Sequence, residues 1–226
     1  MRCRQDGAVP LSEKSVLGRV AAALLSRPFV YNLVQVVAGR DRVIKRLREA
    51  AGSLPSGRVL DVGSASGQIG LGLGIRPICL DIDFLPLSDR RRRGTLDLAV
   101  QGDAARLPFV RKSFDLTLCT AVSHHLDDDT LLPALAEIGR VTSGTFLFFD
   151  ATRNDSRWLS RSLWRFDRGR HPRTEGQLLG TLERLFHPRT VAGFAVFHQY
   201  LLFIGTPRDS RTVESSRGDS EEKGVS

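Results

Sequence analysis

The segment RVLDVGSASGQIG, Arg58 to Gly70, constrains the fold of this chain more than any other. A β-branched run leads straight into a glycine-rich turn and then into a stretch with helical spacing, which is how an alternating α/β domain begins. Four further runs follow the same rule: Ile78–Ile82 (ICLDI), Leu96–Val100 (LDLAV), Phe114–Thr120 (FDLTLCT) and Thr145–Asp150 (TFLFFD). Strands buried on both faces read as hydrophobic runs, so these look like parallel strands covered by helices on each side. The expected crossover helices are Gln68–Leu73, Leu85–Arg93 and Thr130–Val141.

The chain changes character at its far end. Val191–Phe197 (VAGFAVF) and Tyr200–Gly205 (YLLFIG) are separated only by His198 and Gln199, a link suited to an antiparallel hairpin and too short for a parallel crossover. Before the first strand, Phe29, Val30, Leu33, Val34 and Val37, then Val43, Ile44 and Leu47, recur at helical spacing. These predict an N-terminal helical cover over residues 1–50. Residues 208–226 hold almost no large apolar side chain and are expected to be disordered. One domain over 1–207 is thus expected, with an α/β core at 58–150, a long connector at 151–187 and the terminal hairpin at 191–206.

Composition excludes several classes. No apolar run approaches the roughly 20 residues needed to cross a bilayer, and MRCRQDGAVPLSEKS has neither the apolar core nor the cleavage site of a secretory signal. A cytoplasmic location is expected. Cys3, Cys79 and Cys119 are too few and too widely spaced for a disulfide framework or a zinc quartet, and no metal-binding cluster appears. The net charge is +8, with ten Lys/Arg against four Asp/Glu in residues 1–50 and seven Arg against three acids in 151–176. A solvated charged face and a field attracting phosphate, anionic lipid or an acidic metabolite both fit such a distribution, so peripheral membrane contact stays open.

The chemistry begins in the first loop. Gly63 and Gly67 permit turns closed to other residues and a close approach to a ligand, while the following helix offers unpaired N–H groups. Asp81, twenty residues after Asp61, ends the second strand, where a carboxylate can accept from both hydroxyls of a ribose. After the third strand comes QGDAARLPF, Gln101 to Phe109, in which Asp103 either accepts from an exocyclic amine such as adenine's or caps the turn that follows. A dinucleotide fold would want Gly-x-Gly-x-x-Gly, whereas glycines here stand at 63, 67 and 70, and it would leave Asp103 without a role.

In order and spacing, DVGSASG, LDID, GDAARLPF and FDLTLCTAVSHHLDD resemble the S-adenosylmethionine-dependent methyltransferases of the seven-stranded Rossmann-like class, over about residues 29–206. The small-molecule branch, with quinone, sterol and natural-product enzymes, is the most similar. The resemblance implies an α/β fold, a doubly wound seven-stranded sheet in the order 3-2-1-4-5-7-6, mostly parallel with an antiparallel terminal strand. It implies S-adenosyl-L-methionine as cofactor. Asp61 and the loop of Gly63, Ser64, Ala65 and Gly67 would hold its methionine end, Asp81 the ribose, and Asp103 with the Ala104 N–H the adenine. Ile82 and Thr120 join the cofactor-contacting set. The family usually carries glycine where Ala65 stands, and this methyl group narrows the space beside the cofactor without removing a hydrogen bond.

Residues just beyond the fourth strand face the transferred methyl group in that family. Here they are Ala121, Val122, Ser123, His124 and His125. Imidazole titrates near neutrality, so His125, with His124 beside it, is the candidate base, and a structural role for both is the alternative. The Asn/Asp-Pro-Pro-aromatic signature of nucleobase amino methylation is missing after this strand, which disfavours a nucleic-acid substrate. Cys119, inside the strand, is unlike an exposed cytosine-methylating nucleophile. A long connector, Ala151 to Phe186, carries Trp158 and Trp164 and is expected to cover a small-molecule substrate, anionic or lipid-like. The function expected is methyl transfer to an oxygen, nitrogen or carbon acceptor. A non-catalytic cofactor-binding or scaffold subunit is the alternative.

Overall fold

The computed structural model describes residues 40–64, 68–83, 88, 98–154, 171–195 and 198–209. The chain divides between Asp41 and Arg42 into two units, and the account concerns the second together with the helix that runs into it. The N-terminal segment before Arg40, loop residues Ala65 and Gly67, both tryptophans and the tail beyond Asp209 lie outside the described residues. So does the expected helix Leu85–Arg93, apart from Ser88.

Helix α1 (Arg40–Ala51) precedes β1 (Val59–Val62), α2 (Gln68–Gly72), β2 (Ile78–Asp81) and β3 (Leu98–Gln101). Next come β4 (Phe114–Thr120), a single 3₁₀ turn (Ser123–His125), α3 (Asp128–Val141) and β5 (Thr142–Thr152). Helix α4 (Glu175–Leu185), β6 (Phe186–Ala195) and β7 (Gln199–Pro207) complete the series. The seven strands form one sheet in the order β3-β2-β1-β4-β5-β7-β6. Strands β1 to β5 pair in parallel, and β7 runs antiparallel to both β5 and β6. This is the Rossmann-like α/β sheet expected from the sequence.

The period of two in each strand sorts apolar side chains onto two faces. Leu60, Val62, Phe146, Phe148, Leu201 and Phe203 pack on one face beneath α3 and α4, through Leu131, Leu135, Ile138, Leu178 and Leu182. Val59, Leu116, Leu118, Leu147, Phe149, Leu202 and Ile204 pack on the other with Val43 and Leu47 of α1. Phe114 joins the first face although Leu116 belongs to the second, and the β4–β5 register shifts between these two residues. Central strands covered on both sides are apolar at most positions, and this is why they stand out in the sequence.

Several boundaries differ from expectation. Strand β5 starts at Thr142, directly off α3, instead of at Thr145, and Ser143 Oγ donates to Phe114 O at 2.8 Å across the strands. Strand β6 begins at Phe186, five residues before Val191. Helix α3 starts at Asp128 rather than Thr130 because Asp127 caps it, accepting from Thr130 N at 2.9 Å. The end of the segment expected to cover substrate is helix α4, whose Thr174 and Gln177 form a capping box and whose Leu178 and Leu182 are buried. Among the described residues no helix is long and apolar enough to cross a membrane.

Candidate functional site

In an open parallel sheet, ligands bind outside the carboxyl ends of the strands where the order reverses, here between β1 and β4. Asp61, Asp81, Thr120 and Asp150 all stand at that end.

After β1 the chain folds over β2. Gly63 N and Ser64 N both donate to Leu80 O, at 2.8 and 3.1 Å, which brings the first loop beside Asp81. Gly63 has φ +68, and a Cβ there would lie 2.4 Å from Val122 Cγ2. The close approach that demands glycine is therefore to the loop after β4, and it locks the two loops together. Asp61 is 1% exposed, and the equally buried Ser64 hydroxyl has no hydrogen-bond partner among the described residues. A buried polar atom of this kind suits a polar ligand group.

Asp81 is 9% exposed and accepts from Asp83 N at 3.0 Å, while Ile82 beside it is 71% exposed, a large apolar side chain presented at the strand end. Gly102 N donates to Asp81 O and ties the loop after β3 to the same place. In that loop Asp103 is exposed and caps the turn, Oδ1 accepting from Ala105 N at 2.9 Å. The turn-capping alternative is thus realised for that oxygen. Ala104 packs against the core. Two residues that the sequence reading missed hold this loop from α3. Glu137 accepts from Leu107 N at 2.9 Å, and Arg140 donates to Leu107 O at 3.0 Å, to Phe109 O at 2.8 Å and to Glu137 itself. Their mutual hydrogen bond is the main reason the Glu137 carboxyl lies low and the Arg140 guanidinium high.

Beyond β4, Ala121 has φ 58, a left-handed conformation that costs a non-glycine residue about 1–2 kcal/mol. Such strain collects where a loop is held for function. Next to it Asp150 at the end of β5 forms a buried hub. It accepts from Ser123 N at 2.8 Å, Ser123 Oγ at 2.6 Å and Ala151 N at 2.7 Å, and it pairs with His124 Nδ1 at 2.7 Å. Burial works against its ionisation, yet the charge and hydrogen bond of His124 and the bonds from Ser123 and Ala151 outweigh it and hold the carboxyl below its ordinary value. His124 is 7% exposed and His125 is exposed, their ring centroids 4.2 Å apart. Thr120 is buried at the strand end.

Arg173 braces this loop from the other side. It donates to Ser123 O at 2.7 Å and Leu126 O at 2.8 Å and pairs with Asp128 at 2.6 Å. His171 N donates to His124 O, and Arg153 N to Arg173 O. Neither Asp150 nor Arg173 was among the expected site residues. The only local signal was an acid closing the apolar run TFLFFD, and nothing near Arg173 marks it. Cys119 is no nucleophile: burial first, then the Asp150 and Asp61 carboxylates, push its thiol far above the usual range. No group of three metal-ligating side chains occurs among the described residues.

A family model described as a methyltransferase domain matches residues 60–148, from β1 to the middle of β5. None of the curated proteins matches the chain. Among solved structures, an S-adenosylmethionine-dependent methyltransferase from Thermotoga maritima is 18% identical with a TM-score of 0.64, covering 83% of this chain and 100% of its own. The Burkholderia thailandensis 1,6-didemethyltoxoflavin-N1-methyltransferase, solved with that substrate and S-adenosylhomocysteine, is 17% identical at TM-score 0.59 and covers 90% and 94%. The [4+2]-cyclase SpnF is 18% identical at TM-score 0.56, covering 75% and 81%. At these identities the likeness is one of fold.

Proposed function

We propose that this protein transfers the methyl group of S-adenosylmethionine to an oxygen, nitrogen or carbon nucleophile of a small molecule. One observation carries the reading: the turn after β1 is hydrogen-bonded onto the end of β2, so that Asp61, the buried Ser64 hydroxyl and Asp81 are gathered at the carboxyl edge of the sheet in the methyltransferase domain. These residues fit the cofactor. Asp61 and the 63–67 loop bind the methionine end, Asp81 accepts from the ribose hydroxyls, and Ile82 lies against the base. Asp103, through the carboxylate oxygen not spent on the turn, and the Ala104 N–H recognise the adenine edge. Thr120 closes the strand end beneath them. When bound, S-adenosylmethionine supplies an electrophilic methyl carbon on a sulfonium.

The protein's own part is to align the acceptor, exclude water and take up a proton where the acceptor must lose one. His124 and His125 stand in the loop that does this. Calorimetric titration with S-adenosylmethionine and S-adenosylhomocysteine, followed by label transfer from methyl-labelled cofactor into a metabolite mixture, tests the reading. Binding of both sulfur ligands with label appearing in a small molecule is expected. A tight nicotinamide complex with no response to either ligand refutes it, and binding without label in any acceptor favours the scaffold alternative.

A further inference from the structure

We propose that Glu137 and Arg140 of α3 set how sharply the base of the cofactor is recognised, by clamping the main chain at Leu107 and so fixing the orientation of Asp103 and the Ala104 N–H. The role deepens the methyl-transfer reading and rests on its adenine assignment. Both side chains act through the loop and are positioning residues.

The loop after β3 is held at both ends. At its entry Gly102 N donates to Asp81 O at 3.0 Å. The turn that follows is closed by Arg106 N, which donates to Asp103 O at 3.0 Å, and by Ala105 N, which donates to Asp103 Oδ1 at 2.9 Å. At its exit the Leu107 side chain is 4% exposed and belongs to the core. Burial of an apolar group is non-directional, so this anchor fixes where the loop sits but not how it is turned. Hydrogen bonds supply the direction. Glu137 Oε2 accepts from Leu107 N at 2.9 Å while Arg140 Nη2 donates to Leu107 O at 3.0 Å, so both main-chain groups of one residue are gripped from a single turn of helix. Arg140 Nη1 reaches on to Phe109 O at 2.8 Å, and the Arg140 carbonyl accepts from Lys112 N at 2.9 Å. The two side chains also hold each other in a forked pair, Nε to Oε1 at 2.6 Å and Nη2 to Oε2 at 2.8 Å.

Stability alone is a poor reason for such a device. The side chains of Arg140 and Glu137 are 28% and 24% exposed, and an ion pair open to water to that degree contributes little. What the pair does uniquely is turn a planar, pre-organised fork onto a stretch of main chain four residues beyond Asp103. The orientation of the Asp103 turn is inherited from that grip.

Orientation matters because adenine and hypoxanthine differ by a reversal of donors and acceptors along one edge. Adenine offers an amine to the Asp103 carboxylate and a bare ring nitrogen to the Ala104 N–H. Hypoxanthine offers a carbonyl and a ring N–H at the same two places, so a fixed loop meets acceptor with acceptor and donor with donor. A loop free to slide would instead bring the carboxylate to the ring N–H and accept either base.

The test is calorimetric titration of the full-length protein with S-adenosylhomocysteine and with its hypoxanthine analogue, S-inosylhomocysteine. The wild type should favour the adenine ligand by at least about tenfold, the scale of a desolvated polar group left unpaired. Arg140→Met should raise the S-adenosylhomocysteine Kd about tenfold and leave that of S-inosylhomocysteine within about threefold, so that the ratio falls severalfold. Arg140→Lys keeps the charge but not the fork, and should behave like Arg140→Met. Should neither variant fold, Glu137→Gln, which keeps an oxygen for Leu107 N and loses the ionic pair, carries the same comparison. A ratio that stays within about twofold of the wild type, whatever happens to the urea midpoint, overturns the proposal and leaves the pair a purely stabilising role; so does a wild-type ratio in Arg140→Lys. Failure of the underlying readings looks different: a wild type that binds neither sulfur ligand refutes methyl transfer, and one that binds both equally refutes the adenine assignment.

Discussion

Gly63→Ala tests how firmly the first loop is tied to the loop after β4. Two costs follow from the structure. At φ +68 an alanine carries the left-handed penalty of about 1–2 kcal/mol. Its Cβ would also stand 2.4 Å from Val122 Cγ2 and 3.1 Å from Cγ1, far inside van der Waals contact, and overpacking of this kind costs about 1–3 kcal/mol. Together they predict a loss of about 2–5 kcal/mol, read by urea unfolding as a lower midpoint at unchanged slope. Val122→Ala separates the two. Alone it removes two buried methyl groups, about 1.6 kcal/mol of transfer free energy. Combined with Gly63→Ala it removes the clash but leaves the backbone penalty, so the pair should be less destabilised than the sum by about 1–3 kcal/mol. A single Gly63→Ala loss below about 1 kcal/mol, or strict additivity of the two changes, would refute the packing argument.

Asp81→Ala should weaken binding of S-adenosylmethionine and S-adenosylhomocysteine about tenfold or more, since a charge-assisted hydrogen bond contributes roughly 1.5–3 kcal/mol; unchanged calorimetric affinity would move the ribose role elsewhere, with Asp83 the first substitute. Asp150, whose folded carboxyl lies below its ordinary value of 3.8, contributes stability that is complete above that value and is lost as pH falls through the lower folded one. Urea midpoints of the wild type should therefore drop with acid below about pH 4, and Asp150→Asn should flatten that dependence; an equally steep profile in the variant would deny the hub its charge. Thr174→Ala should cost about 1 kcal/mol through loss of the α4 capping box, and a change under a few tenths would mean that the helix is fixed by Leu178 and Leu182 alone.

The parts legible in the sequence were those where one local rule acts unopposed. Strands β1, β2 and β4 stand out because burial on both faces makes apolar residues dominate them. The start of β5 did not, because Thr142, Ser143 and Gly144 look like a turn and extend only by pairing with β4. Helix α4 carried its mark, Thr174 three residues before Gln177 ahead of Leu178 and Leu182, yet it sits in a stretch whose length suggested a loop. Within the site, residues that act through backbone position or strand end, such as Gly63 and Asp81, announce themselves locally. Those that act by reaching across do not: Asp150 meets Ser123 over 27 positions and Arg173 meets it over 50. Asp103 shows the remaining ambiguity, since one carboxylate serves the turn with one oxygen and still presents the other.

The position of β7 between β5 and β6 has a consequence for how the protein comes off the ribosome. Synthesis delivers β6 before β7, but β6 has no partner in the sheet other than β7. Until residues 199–207 emerge, β5 is an open edge with Phe146, Leu147, Phe148 and Phe149 in a row, and β6 has nothing to pair with. Such an edge is a template for other chains. The nascent protein must therefore hold this apolar strand uncovered at one edge until β7 arrives, and a stall between Ala195 and Gln199 would leave a species that chaperones have to shield.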